Sequence, residues 1–484
     1  MNELHQLDAR RASTDVAVQI VARILNLALG VVVTLILARA LGSGGFGVWS
    51  SIFAITQIVA SFGEFGLNEV AVNKVATEPE RESAWLGALL SLRLLISLPI
   101  ALASVVAVLL IAPDHEGRVA GVLISLLLVV SVPTALNVVF QVRVRNGISM
   151  AILTLNSVIW AGAVIGVAAI SGGIVGFALA FVVTSALSMI VTVALALRLA
   201  TIRLRGAREL WRALLRVGIG LGLAGVLVTG YVKLDQILVL ELAGSRQAGL
   251  YGAAYRLLDQ VQFIPISVMT TLFPMIAAAY AGSRDRVREL LQTAGEYLAM
   301  ASLPILAFTI VAAGPIVRLL FGPQFAAGAP AVPILAGAFV SISFGYLAGN
   351  MVVILELQRR FVRYAAIGLI VNATLNLLLI PRYGFLAAAW VTLVTEVTVM
   401  SQIMRAVLRA LAMTPRFGRI LRVLLVATVM GLLTWIARLV GVPLAGLVVV
   451  AAASYLPGLF LLGVVTAGEL RAVLRKDAAS IGGA

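Results

Sequence analysis

The sequence predicts an all-α polytopic membrane protein of about fourteen transmembrane helices, built as two six-helix lobes around a central cavity with two extra C-terminal helices. Three observations carry this expectation. The 484-residue chain is 61% hydrophobic and only 12% charged, whereas soluble domains sit near ~45–50% apolar and ~25% charged. Its apolar residues gather into runs long enough to cross ~30 Å of hydrocarbon. Segments of the first half recur, in the same order, in the second.

Composition excludes several classes. There are no cysteines, so disulfides and thiolate metal sites are ruled out, and the two histidines, His5 and His115, lie outside the apolar runs. The net charge of +15 would suit nucleic acid, but the basic residues sit in loops between apolar runs. That pattern sets topology in a membrane and does not bind DNA. The first run is too long for a signal-peptide core and lacks a cleavage pattern, so it reads as a retained first span.

The runs fall at 16–38, 46–66, 84–111, 119–141, 149–170, 174–197, 216–240, 249–280, 291–314, 328–355, 363–380, 385–404, 420–437 and 444–466. Charge tests this division. The side holding both termini carries the large majority of the 36 Lys and Arg. The other side holds only Arg39, Arg118, Arg246, Arg318, Arg382 and Arg438. Both termini are therefore expected in the cytoplasm.

Three paired segments indicate a duplication. AGSRQAGLY (Ala243 to Tyr251) echoes LGSGGFGVW (Leu41 to Trp49), matching Gly42 with Gly244, Ser43 with Ser245, Gly47 with Gly249 and Trp49 with Tyr251. Phe140 to Asn156 matches Glu356 to Asn372, pairing Arg143 with Arg359. GIVGFALA (Gly173 to Ala180) resembles GFLAAAWV (Gly384 to Val391). Residues 1–198 are then the N-terminal lobe with spans 1–6, 199–215 a basic linker, 216–410 the C-terminal lobe with spans 7–12, and 411–484 spans 13–14 with a cytoplasmic tail. Six spans per copy gives a parallel repeat, a design that places a substrate site between lobes. In the linker, Leu204, Ala207, Trp211, Leu214 and Leu215 recur at helical spacing among arginines. This fits either an amphipathic helix on anionic headgroups or a plain topogenic linker. Pro99, Pro133, Pro265, Pro274, Pro304 and Pro333 fall in or beside spans, where proline bends helices without ending them.

No Walker A lysine, HExxH pair or Asp-x-Asp metal site is present, and no cofactor or enzymatic activity is expected. The chemistry left is a set of ionisable groups in apolar surroundings. Arg23 and Asn26 stand in span 1, Arg93 in span 3, Lys233 and Asp235 in span 7, and Arg256 with Asp259 one turn apart in span 8. Glu64, Glu296, Glu356 and Glu396 lie at or near span ends. A charge at mid-bilayer costs roughly 2.5–3.5 kcal/mol on insertion scales, so such groups face a cavity or one another. Arg23, Asn26, Lys233, Asp235, Arg256 and Asp259 are the cavity candidates, and Asp235, Asp259 and Glu396 the ion-coupling candidates. A structural ion pair, for instance Asp235 with Arg256, is the competing reading for the acidic residues. Arg93 reads as a snorkelling or packing residue. Arginine and lysine around a membrane cavity favour an anionic substrate such as a lipid-linked phosphate or pyrophosphate.

LARALGSGGFGVWSSIF and FGEFGLNEVAVNKVA in spans 1–2, KLDQILVLELAGSRQAGLYGAAYRL in spans 7–8 and LIVNATLNLLLIPRYGFLAAAW in spans 11–12 make the chain similar to a known family. It resembles the Wzx-type polysaccharide-unit flippases of the multidrug/oligosaccharidyl-lipid/polysaccharide (MOP) exporter superfamily. The resemblance implies translocation of an undecaprenyl-pyrophosphate-linked oligosaccharide across the bacterial inner membrane for surface polysaccharide, lipopolysaccharide or exopolysaccharide, by alternating access. It implies membrane lipids, a polysaccharide polymerase and assembly proteins as partners, and no nucleic acid. The Asp of the span 7 motif falls on Asp235. Span 1 carries Arg23 alone, without the arginine-rich opening of lipid II flippases. A drug/cation antiporter, a lipid II flippase and a non-transporting assembly scaffold are the alternatives.

Overall fold

The computed structural model describes residues 2–143, 146–204 and 206–465. Arg145, Arg205, and the tail with Arg471, Arg475 and Lys476 lie outside the described residues. Most of those described are helical, with thirteen stretches long and apolar enough to cross a membrane. Large apolar side chains stay exposed along them, among them Leu102 and Leu110 (65% and 78%). Such a surface suits hydrocarbon and would be a liability in water.

The first stretch carries two of the expected spans. Helix α1 (Asn2–Glu64) breaks at Gly42, whose φ of 67° and ψ of 177° lie in a region essentially reserved for glycine. The second apolar hairpin turns on the same device: α8 (Arg208–Ala243) ends at Gly244, φ 88° and ψ 167°, before α9 (Ser245–Val261). The two turns touch reciprocally. A Cβ on Gly47 would meet the Ser245 carbonyl, and one on Gly249 the Ser43 carbonyl. The sequence repeat is thus a packed pair of hairpins.

Between these hairpins, α1 stops at Phe65 and Gly66, both at positive φ (34° and 66°), and the short α2 (Leu67–Thr77) follows. Gly218 and Gly222 of α8 approach this break so closely that a Cβ on either would strike the Phe65 backbone. Small residues four apart allow such contact between membrane helices. Glu78 then accepts hydrogen bonds from Lys74 and the Trp85 indole at 2.9 and 3.1 Å. These bonds, Lys74 foremost, hold its carboxyl below the usual range. Helix α3 (Glu82–Ile111) leads to α4 (His115–Val130), capped by Asp114 accepting from the Gly117 N–H. Pro133 supplies no donor, and the span continues as a 3₁₀ turn, Val132–Leu136, and α5 (Asn137–Val142). Helices α6 (Asn146–Ala169) and α7 (Gly173–Leu199) complete the first six spans.

The basic linker is no separate helix. From Arg208 it is the first part of α8, and Ala207, Leu210 and Leu214 are buried with Trp85, Leu86 and Leu89. Beyond α9 come α10 (Phe263–Tyr280), α11 (Arg284–Phe321), α12 (Ala331–Ile354), α13 (Gln358–Tyr383), α14 (Phe385–Ala410), α15 (Gly418–Leu439) and α16 (Leu444–Leu461). Every expected span has its helix.

Packing groups the chain into two compact units. Unit 1 is Met1–Gly252 with Leu369–Ala388, and unit 2 is Ala253–Gly368 with Ala389–Ala484. In unit 1, α2, α3, α5 and the start of α8 share a core around Trp85, Leu89 and Val139. In unit 2, one core joins α10, α11, α12 and α14 around Ile276, Leu298 and Met351. Another joins α11, α15 and α16 around Met430 and Tyr455.

Candidate functional site

The helix breaks of unit 1 open a cavity of about 260 Å³ inside the span bundle. That is near the lower end of the ~300–1,000 Å³ typical of small-ligand pockets. Its lining includes Glu64 at the end of α1, Asn68 of α2, Arg93 and Ser97 of α3, Thr134 of the 3₁₀ turn, and Asn137 and Gln141 of α5. Arg93 lies about 12 Å along α3 from Trp85, at 1.5 Å per residue. Its side chain is 13% exposed and stands 3.8 Å from the Glu64 carboxylate, itself 73% exposed. It also donates to the Asn68 Oδ1 at 3.4 Å. Both contacts are long, so its donors are only partly engaged. A cation ringed by amides and hydroxyls offers charge for an anion and hydrogen bonds for hydroxyls. The sequence places Arg93 in span 3 but points to packing. The cavity partners come from breaks, not from helical periodicity. The one available signal was the Phe65–Gly66 and Pro133 pair of interruptions.

Asp235 occupies a different setting, also in unit 1. It is 1% exposed and accepts from the Tyr251 hydroxyl at 3.0 Å and the Asn376 Nδ2 at 2.6 Å. That same Asn376 nitrogen lies 3.1 Å from Asn372 Oδ1, and its own oxygen is buried without a partner. Beside it, Gln236 donates to Ser51 Oγ and the Ala248 carbonyl, both at 3.1 Å. The hydrogen-bond partners of Asp235 thus include Tyr251 and Asn376, residues the sequence did not single out as a site.

The other expected residues fall on several helices of the two units. Arg23 is exposed on α1. Asn26, one turn on, donates to the Ala22 carbonyl and to Thr154 of α6 at 2.7 and 2.8 Å. Lys233 is half-buried, two residues from Asp235 and so on another side of α8. In unit 2, Arg256 stands 4.0 Å from Asp259. Gln262 bridges Asp259 (3.4 Å) to the Tyr346 hydroxyl (3.0 Å). Glu396 is 3% exposed. Glu296 pairs with Arg419 at 3.1 Å.

Over 190 residues, 38% of this chain, it is 26% identical to the uncharacterized membrane protein MJ1068 of Methanocaldococcus jannaschii. Over 173 residues, 34% of this chain, it is 26% identical to AglR of Haloferax volcanii, described as a probable flippase. The chain spans 37% and 35% of the lengths of these relatives. Among solved structures, the lipid II flippase MurJ in an inward closed conformation matches with a TM-score of 0.69 at 15% identity, over 91% of this chain and 97% of that one. An inward-facing multidrug resistance MATE family transporter of the MOP superfamily matches with a TM-score of 0.63 at 15% identity, over 82% and 98%. At this identity the likeness establishes the fold alone, the one that MurJ and the MATE transporter share. The profile of one family, described as polysaccharide biosynthesis protein, matches residues 36–330, well over half of the sequence, and the chain belongs to that family.

Proposed function

We propose that this protein is a flippase for a lipid-linked anionic saccharide, with the Arg93 cavity as its headgroup site. The observation that carries the reading is a partly engaged guanidinium among amides and hydroxyls within the membrane spans. Arg93 would take a phosphate oxygen, and Asn68, Asn137 and Gln141 the sugar hydroxyls. Such a mix suits a glycan phosphate better than an organic cation. Family membership and the probable flippase among its relatives support the same class.

In its finer form the substrate is an undecaprenyl-pyrophosphate-linked oligosaccharide, exposed alternately to the two faces of a bacterial inner membrane with both termini cytoplasmic. A polysaccharide polymerase and assembly proteins would follow in the pathway. Arg23, Asn26, Lys233 and Arg256 are further contacts along its path. Asp235, Asp259 and Glu396 are the coupling groups. For Asp235, the support is an ionisable carboxylate buried within a span, where such groups mark ion and proton paths.

The test is translocation of a fluorescent polyprenyl-pyrophosphate saccharide in proteoliposomes. Losing one charge-assisted hydrogen bond of ~1.5–3 kcal/mol, Arg93→Ala should slow translocation ~10- to 100-fold, with Arg93→Lys in between. Wild-type protein that moves organic cations but no lipid-linked saccharide would hand the role to the antiporter reading.

A further inference from the structure

Unit 2 has a second cavity, unlike the first. It measures about 170 Å³ and is lined by Arg360 and Tyr364 of α13 and by Gln402, Arg405, Ala406 and Arg409 of α14. The spacing explains the convergence. Residues 360 and 364 are one turn apart on α13. Residues 402, 405 and 409 follow one stripe of α14, the face that repeats every three to four residues. The start of one helix and the end of the other thus bring three guanidiniums together over a floor made by the buried Ala406.

These arginines differ from others in the same unit. Arg286, Arg288 and Arg419 each have a carboxylate within 3.1 Å. Among the described residues, Arg360, Arg405 and Arg409 form no ion pair, and no acidic side chain lines the cavity. Helix polarity accounts for only part of the cluster. Arg405 and Arg409 lie near the C-terminal end of α14, where cations are favoured. Arg360 lies in the first turn of α13, where the dipole disfavours a cation. Three mutually repelling cations, one of them at the wrong helix end, make a site that an anion would complete.

Both stripes then run into apolar surface. Ile367 continues the line from Arg360 through Tyr364, and Val394 the line from Arg409 through Gln402. Both are exposed, at 37% and 44%. A soluble phosphate would use only the upper half of such a footprint. A phospholipid would use all of it, head on the arginines and acyl chains along the apolar stripes. The charge bias assigns this end to the cytoplasmic face, whose leaflet carries anionic lipid.

We propose that the α13–α14 arginine pocket is a binding site for the phosphate of an anionic phospholipid, separate from any transported substrate. The probe is phosphatidylglycerol competing with phosphatidylcholine in mixed micelles, with lipid retained on the intact purified protein read by native mass spectrometry. Wild type should retain phosphatidylglycerol about tenfold over phosphatidylcholine. The R360Q/R405Q/R409Q variant should lose that preference, and so should Gln402→Glu, which puts a carboxylate in the pocket with little change of shape. Arg286→Gln, an exposed arginine with its own carboxylate, should keep it. Inorganic phosphate at 10 mM should displace none of the lipid. Equal retention of the two lipids by wild type would overturn the proposal, as would unchanged preference in Gln402→Glu. Displacement by inorganic phosphate would reassign the pocket to a soluble anion.

Discussion

The two hairpins share a backbone and differ in content. At the repeat offset Tyr251 corresponds to Trp49 and Asp235 to Val33. Continuing the Asn156–Asn372 match by one turn sets Asn376 against Trp160. In the second copy these positions form the buried Asp235–Tyr251–Asn376 network. In the first, Trp49 and Trp160 stack, with ring centres 6.5 Å apart and planes 11° apart, and Phe53 and Phe181 enclose them. One architecture, turned by Gly42 and Gly244 and joined by reciprocal glycine contacts, therefore holds an aromatic cluster once and an ionisable cluster once. The lesson is that one hairpin geometry accepts two kinds of interior. The first hairpin packs rings against rings, and the second buries a carboxylate within a span.

The comparison breaks most easily at its aromatic half. Trp49 is 3% exposed, and Trp49→Ala removes a ring from a closed cluster. A loss of ~3–5 kcal/mol is expected, read by thermal or denaturant unfolding in detergent. A change below ~1 kcal/mol would show that the first hairpin does not stabilise the fold in this way.

Much of this was legible beforehand, for physical reasons. Long apolar runs and a lopsided arginine distribution are imposed by the bilayer itself, so the spans could be placed without knowing what packs on what. The turn glycines were visible because a positive φ leaves little choice of residue. The Arg93 cavity was not, because Asn68, Thr134, Asn137 and Gln141 meet only where helices are interrupted, and an interruption has no periodicity. Nor was the fate of the linker. Leu210 and Leu214 bury against Trp85 and Leu89, a choice between protein and lipid that an amphipathic pattern alone leaves open. The hairpin match did point to Tyr251, but only as the partner of Trp49. That its hydroxyl reaches Asp235 depends on the facing of two helices.

Tyr251→Phe sharpens the polar half, since it deletes one hydroxyl and keeps the ring. A hydrogen bond to an ionised group contributes ~1.5–3 kcal/mol and one to a neutral group ~0.5–1.5 kcal/mol. Tyr251→Phe should therefore destabilise by ~0.5–3 kcal/mol in thermal or denaturant unfolding in detergent. Equal stability of mutant and wild type would remove Tyr251 from the network.

The finest contrast lies in the paired asparagines. Asn156 and Asn372 occupy the same place in the repeat, yet the Asn156 Oδ1 is buried with no partner, while the Asn372 Oδ1 lies 3.1 Å from the Asn376 amide nitrogen. A buried acceptor left unsatisfied contributes nothing to offset its lost hydration, and a satisfied one does. Asn156→Ala should therefore change stability by no more than ~0.5 kcal/mol, in either direction. Asn372→Ala should cost ~1–3 kcal/mol by loosening the amide that holds Asp235. Matched losses in the two mutants would mean that the copies treat this position alike. The difference between aromatic and ionisable hairpins would then stop at the tips and not extend down the paired helices.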